Sequence, residues 1–213
     1  MSKVKVNYEG AWAQFAQQEH LTPEQVESFK QYCSLLLEEN KVINLTAITT
    51  VRGVIRHHFI DSLALGHHYD MSKPLVIADV GTGAGFPALP LKIKYPHLKI
   101  LLIDMNKKRQ GFLQKVCEQL GLEDVEIAQY DWRTFVRITD GKINLFTARA
   151  SLSTSELSRM FKPSSSYNQA DLVYWASDLW QPEQKVSHLV KDEWGYKVGV
   201  KKRRLVLLHN RSK

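Results

Sequence analysis

The stretch "ADVGTGAGFPALP", Ala78 to Pro90, decides how this chain is read. An apolar run that ends at Asp79-Val80 and breaks into Gly81-Thr82-Gly83-Ala84-Gly85 has the features of a strand followed by a ligand-cradling turn. Glycine lets the main chain approach a ligand closely and accepts positive φ. The spacing is GxGxG, which departs from the GxGxxG of dinucleotide-binding turns. Phe86 and Pro87 then form a stiff apolar wall, and Pro90 is tolerated only in the first turn of a following helix.

Around this turn the pattern is that of an α/β chain. "LVIADV", "KILLID", "VEIAQY" and "INLFTA" are short apolar runs with β-branched residues, as expected of parallel strands covered on both faces. Between the second and third of them, Phe112, Leu113, Val116 and Leu120 recur at helical spacing, with Gly121 as a stop. The series predicts a doubly wound, mostly parallel sheet. "ADLVYWAS" adds a strand after a polar loop, "KPSSSYNQ", and the tail suggests a closing antiparallel hairpin around a basic turn at Lys201 to Arg204.

Ahead of the sheet, "LTPEQVESFKQYCSLLLEENK" predicts a helix with Thr22 as N-cap, Pro23 in the first turn and Gln25 completing a capping box. Val26, Phe29, Cys33, Leu36 and Leu37 share one face. A second helical stretch covers Val54 to Leu65. The expected organisation is a helical cap over residues 1–70 and a ligand-binding domain over 71–213.

The second strand ends at Asp104, 23 residues after Gly81. An acidic group there can accept hydrogen bonds from both hydroxyls of an unphosphorylated ribose and would repel a 2′-phosphate; the alternative is that Asp104 caps the next helix. A phosphate-free cofactor needs room for its tail more than a helix N-terminus aimed at a pyrophosphate. The prolines therefore favour S-adenosyl-L-methionine over a nicotinamide dinucleotide.

With 213 residues the chain is long enough for one large domain and a small appendage. No apolar run reaches the roughly 20 residues of a membrane helix, and "MSKVKVNYEGAW" lacks the apolar centre of a secretory signal, so a cytoplasmic location with no membrane partner is expected. Cys33 and Cys117 read as reduced, mostly buried thiols. A formal charge of +7 points to polyanionic partners.

Several motifs together resemble the small-subunit ribosomal RNA guanine-N7 methyltransferases, also called RsmG or GidB: "NLTAI" at Asn44 to Ile48, "HFIDS" at His58 to Ser62, "DVGTGAGFPALPLKI" from Asp79, "PHLKILLID" from Pro96, Lys108-Arg109 before Phe112-Leu113, and "TARA" at Thr147 to Ala150. The resemblance implies a class I methyltransferase fold that moves a methyl group from S-adenosyl-L-methionine to N7 of a guanine in small-subunit (16S) rRNA, free or in the 30S particle, acting as a monomer. It implies cofactor contacts at Gly81, Phe86, Trp132-Arg133 and Arg149, beside Gly83, Gly85 and Asp104. Guanine N7 is an unprotonated nucleophile at neutral pH, so positioning does most of the catalysis and no catalytic acid or base is expected. No NPPY-like motif follows the fourth strand, where an exocyclic amine target would call for one.

The chain departs from the family pattern in three places. Asp131-Trp132-Arg133 stands where an arginine, a small apolar residue and a glutamate are usual, so the charges are exchanged. "VYWASD", Val173 to Asp178, replaces a lysine-bearing strand end, and Met105 replaces a serine. A non-catalytic rRNA-binding descendant is thus a second reading, and an NAD-dependent oxidoreductase a remote third. The pairs His57-His58 and His67-His68 diverge on a helix and complete no metal site, so no metal is expected. His58 and Asp61 are expected to pair with each other. Lys92, Lys94, Lys99, Lys107, Lys108, Arg109 and Lys201 to Arg204 are candidates for a face that follows an RNA backbone, and Trp175, Trp180 and Trp194 for core packing or base stacking.

Overall fold

The computed structural model describes residues 8–210. Seven strands form one sheet in the order β3-β2-β1-β4-β5-β7-β6. Strands β1 (Val76–Val80), β2 (Lys99–Ile103), β3 (Val125–Ala128), β4 (Leu145–Arg149) and β5 (Asp171–Ser177) run parallel; β7 (Lys201–Leu208) is antiparallel to β5, and β6 (Val190–Val198) to β7. The strand order reverses between β1 and β4, which leaves a crevice at their carboxyl ends, the place where open α/β sheets bind ligands.

Alternate residues of each strand feed two cores. Ile77, Ile100, Leu102 and Leu145 pack on one face with the helices α1 (Glu9–Glu19), α2 (Pro23–Ile43), α5 (Ala88–Lys94) and α6 (Lys107–Leu120). Ala78, Val80, Ile103 and Phe146 face the other side, under α7 (Trp132–Ile138) and α8 (Thr154–Leu157). Both faces of the central strands β1, β4 and β5 are covered, which is why these read as continuous apolar runs.

Helix α2 starts as its sequence predicts. The Thr22 hydroxyl accepts from Gln25 N–H at 3.3 Å and the Gln25 amide oxygen accepts from Thr22 N–H at 3.0 Å. The Gln25 amide nitrogen also donates to the carbonyls of Ile93 and Lys94, so the cap of α2 is tied to the end of α5. Phe29, Cys33 and Leu36 are buried, while Val26 and Leu37 are only half-buried. The helix is wound more deeply into the core than its apolar stripe suggests, because fully buried Tyr32 donates to the Ala84 carbonyl in the glycine turn.

Four local expectations differ from the structure. Helix α1 is absent from the sequence reading because its apolar anchors, Trp12 and Phe15, sit among alanines and polar residues; both rings pack around Phe59. The second cap helix is not uniform: α3 (Val51–Val54) widens into a π-helical segment at Ile55–Ile60 before α4 (Asp61–Leu63). The hairpin turns at Gly199-Val200, with Gly199 at φ 61°, and Lys201 to Arg204 lie in β7. In the polar loop "KPSSSYNQ", Tyr167 is buried, stacked on Phe135 at 5.6 Å.

Candidate cofactor site

A cavity of about 450 Å³ opens at the carboxyl ends of β1, β2 and β4. Gly81 and Ser151 line its floor, Asp104 and Met105 one wall, Tyr130 to Arg133 another, and Glu156 the rim. Of the residues expected to touch a cofactor, it brings together Gly81, Asp104, Trp132 and Arg133. Phe86, Gly83, Gly85 and Arg149 lie outside its lining.

The three glycines take φ of 66°, 61° and 94°, in the left-handed region that side chains disfavour. They are glycine for different reasons. A Cβ on Gly81 would stand 2.6 Å from Ser151 Cβ, so the turn and the β4 exit touch through a missing side chain. At Gly83 the Cβ position is open, its nearest neighbour 4.0 Å away. At Gly85 a Cβ would strike Leu89 and the Tyr32 hydroxyl, a packing demand within the protein.

The Asp104 carboxylate is 5% exposed. One oxygen accepts from Gly83 N–H at 3.1 Å and from Arg109 at 3.4 Å, and the other from Asn106 N–H at 2.9 Å. Capping of α6 falls to Asn106, whose side chain accepts from Lys108 and Arg109 N–H. Asp104 is thereby left with its carboxylate in the cavity wall, joined to the glycine turn. Next to it, burial pushes the Asp79 carboxyl up to about 6, opposed by the nearby Thr82 and Thr147 hydroxyls; only the Thr147 contact, at 2.8 Å, has hydrogen-bond geometry.

On the opposite wall, Asp131 is the N-cap of α7, accepting from Thr134 N–H at 3.0 Å. The Trp132 indole is buried and donates to the Glu156 carbonyl at 2.9 Å. Arg133 donates to the Glu156 carboxylate at 3.0 Å, as does Arg159. Arg159 first and Arg133 second hold the Glu156 carboxyl down at about 2. The charge exchange at 131 and 133 therefore has a local logic: aspartate caps the helix, and a carboxylate still stands at the rim, supplied by α8.

Arg149 leaves β4 in the other direction. Its guanidinium donates to the Asp61 carboxylate at 2.8 Å, to the His57 carbonyl at 3.1 Å and to His58 Nδ1 at 3.1 Å. Because arginine only donates, Nδ1 accepts, and the His58 proton sits on Nε2, directed to Thr46 Oγ1 at 2.8 Å. Burial first and the Arg149 charge second push His58 down to about 3, so the imidazole is neutral. His58 stacks on Phe86 at 4.3 Å and 5°. His58 and Asp61 are thus joined through Arg149, where a direct pair was expected. Asp61 also accepts from Tyr196 at 2.7 Å, and its carbonyl from Trp175.

The expected basic face divides. Lys92 is buried and donates to the carbonyls of Pro96 and Leu98, and Lys94 pairs with buried Glu19 at 2.9 Å. Both are structural and turned from solvent. The tryptophans also pack inward: Trp175 is buried, Trp180 lies against Tyr174, and Trp194 stacks on His68. Among the described residues there is no cluster of metal-ligating groups, and no helix is long and apolar enough to cross a membrane.

A βαβ sheet that reverses at β1 and β4, carries a glycine turn with an acid at the next strand end and closes with an antiparallel hairpin is the class I S-adenosylmethionine-dependent methyltransferase fold. Solved structures share it. A ribosomal protein L11 methylase from Lactobacillus delbrueckii subsp. bulgaricus aligns over 72% of this chain and 79% of its own, at 20% identity and a TM-score of 0.53. A SAM dependent methyltransferase from Aquifex aeolicus aligns over 73% of this chain and 93% of its own, at 16% identity and a TM-score of 0.53. Within that class the chain belongs to the GidB family, rRNA small subunit methyltransferase G, whose model matches residues 25–187. The Ribosomal RNA small subunit methyltransferase G of Listeria monocytogenes is 39% identical over 173 residues, 80% of this chain and 73% of the relative. That of Geobacillus kaustophilus is 48% identical over 109 residues, 51% of this chain and 46% of the relative.

Sequence reasoning missed Ser151, Tyr130 and Glu156. Ser151 follows "TARA" directly and could have been found from that motif; Glu156 reaches the rim only because α8 folds over α7.

Proposed function

We propose that this chain transfers a methyl group from S-adenosyl-L-methionine to N7 of a guanine in small-subunit rRNA. One observation carries the reading: Gly81, the first residue of the family-specific glycine turn, lines a 450 Å³ cavity beside the buried acid Asp104. The polar lining suits an adenosyl group, since Ser151 Oγ at the cavity lacks a partner among the described residues. An orphaned buried hydroxyl at a cavity calls for a ligand's donor or acceptor.

In this reading Asp104 accepts the ribose hydroxyls, the main chain at Gly81 and Gly83 lets the cofactor's tail lie close, and residues 131–133 border the adenine. Gly85 and Phe86 shape the turn from beneath, and Arg149 fixes its other side through His58. The bound cofactor supplies a sulfonium-activated methyl group. The protein's task is to hold guanine N7 in line with it, and no proton has to be removed from N7. Residues 1–70 serve as the cap and 71–213 as the methyltransferase domain, acting as a monomer in the cytoplasm.

The test is methyl transfer from labelled S-adenosyl-L-methionine to unmodified small-subunit rRNA and to 30S particles. Transfer to one guanine, followed by borohydride and aniline cleavage at that site, is the expected result. Cofactor binding by calorimetry without transfer to either substrate would refute the activity and favour the non-catalytic descendant.

A further inference from the structure

A second cavity, of about 420 Å³, lies on the cap side of the molecule between α1, α3 with its π-helical extension, and the β6–β7 turn. Its charged lining residues are Arg52, Arg56 and Lys197, joined by the amides Gln14 and Gln18; no carboxylate lines it. The three cations are exposed and form no ion pair among the described residues. Nearby acids on the packed elements are committed elsewhere: Glu9 to Lys30, buried Glu19 to His67 and Lys94, and buried Asp61 to Arg149 and Arg203. Unneutralised cations around a concave polar surface attract an anion.

The walls of this cavity are held in place. Gly199 packs on the stem of Arg56, where a Cβ would meet its Cδ at 3.1 Å. Arg56 is followed by His57, whose carbonyl accepts from Arg149 at the end of β4. On the far side of the same turn, a cavity of about 580 Å³ runs from Arg149 and Ala150 to Lys201, Lys202 and Arg203. Ala150 also lines the candidate cofactor site. Asp178 lines this second cavity too, and Asp61 pairs with its Arg149 and Arg203, so among the described residues Lys201 and Lys202 are the cations left unpaired in it. The other basic depression, by α7, includes the Asp131 carboxylate, and Glu156 neutralises two of its arginines, Arg133 and Arg159.

We infer that Arg52, Arg56 and Lys197 form a socket for a backbone phosphate of the RNA substrate, away from the reacting base. This assignment rests on the rRNA reading above. Arginine is suited to it, because the planar guanidinium meets phosphate oxygens in pairs. The socket carries no base information, so it fixes the register of the RNA rather than the choice of guanine.

The test uses small-subunit rRNA with the full chain, an Arg52→Gln/Arg56→Gln variant, an Arg52→Lys/Arg56→Lys variant, and a Lys73→Gln/Lys142→Gln control at the amino ends of β1 and β4. The salt dependence of RNA binding should become shallower by about 0.7 to 0.9 in log–log slope for the glutamine pair, the change expected for one phosphate. The apparent KM for RNA should rise about tenfold with kcat at saturating RNA unchanged, which is what loss of uniform binding produces. Cofactor affinity should stay the same, and the lysine pair should recover the slope. An unaltered slope in the glutamine pair, or an equal loss in the control, overturns the socket while wild-type transfer keeps the function. Conversely, wild-type RNA binding without transfer refutes the function, and the slope still decides the socket.

Discussion

The two sides of the glycine turn are built in opposite ways. Toward the cap, Arg149, Asp61, His58, Tyr196 and Trp175 meet one another's polar atoms at 2.7 to 3.1 Å, and the Phe86 ring seals them. Toward the candidate cofactor cavity, Ser151 Oγ is left without a partner among the described residues, and the Asp104 carboxylate stands in the wall. The contrast teaches that the turn has a finished side and an open side. The first is built for stability, and the second is the side proposed to take the cofactor.

The largest expected break is on the finished side. Asp61→Ala strips the counter-charge from Arg149, whose side chain is 11% exposed, and removes the acceptor of Tyr196. A buried cation left alone should cost about 3–5 kcal/mol, read by urea unfolding. Acid should attack the same knot. His58 is held at about 3 when folded against 6.5 when unfolded, so its contribution is fully present above pH 6.5 and is lost as pH falls toward 3. At pH 4 the loss should be roughly 3 kcal/mol, and a His58→Gln variant should show a flatter stability profile between those limits.

On the open side, Gly81→Ala places a methyl 2.6 Å from Ser151 Cβ on a residue at φ 66°. It should cost about 2 kcal/mol in stability and weaken cofactor binding more than tenfold in calorimetry. Asp104→Asn keeps the shape and removes the charge, so cofactor affinity should drop about tenfold, roughly 1.4 kcal/mol, with little change in melting temperature. The smallest effect belongs to Arg133→Ala. Its ion pair with Glu156 is exposed and should contribute less than about 1 kcal/mol, so a stability loss well above that would mean that the two walls are joined more firmly than the contact implies.

Much of this was legible from local chemistry. The central strands announced themselves as apolar runs because both their faces are covered, and the Thr22-Gln25 capping box formed as spelled out. The place of Asp104 beside the glycine turn was legible from spacing, because a strand end and a turn fix it. Helix α1 was not, since Trp12 and Phe15 gain their meaning from Phe59 on another element. The basic residues show the same limit: Lys92 and Lys197 are alike as letters, yet Lys92 is buried on two carbonyls and Lys197 lines a cavity.

The strands, the glycine turn and the acid that follows it were legible from short-range spacing, because each is set by backbone conformation within a few residues. The sheet order, the partners of Arg149, the joining of His58 to Asp61 through it, the carboxylate that Glu156 brings to the rim and the meeting of Arg52, Arg56 and Lys197 around one cavity were decided only by tertiary structure. Each of these depends on elements distant in sequence meeting at a few ångströms, where burial and charge, rather than residue type, determine what a side chain does.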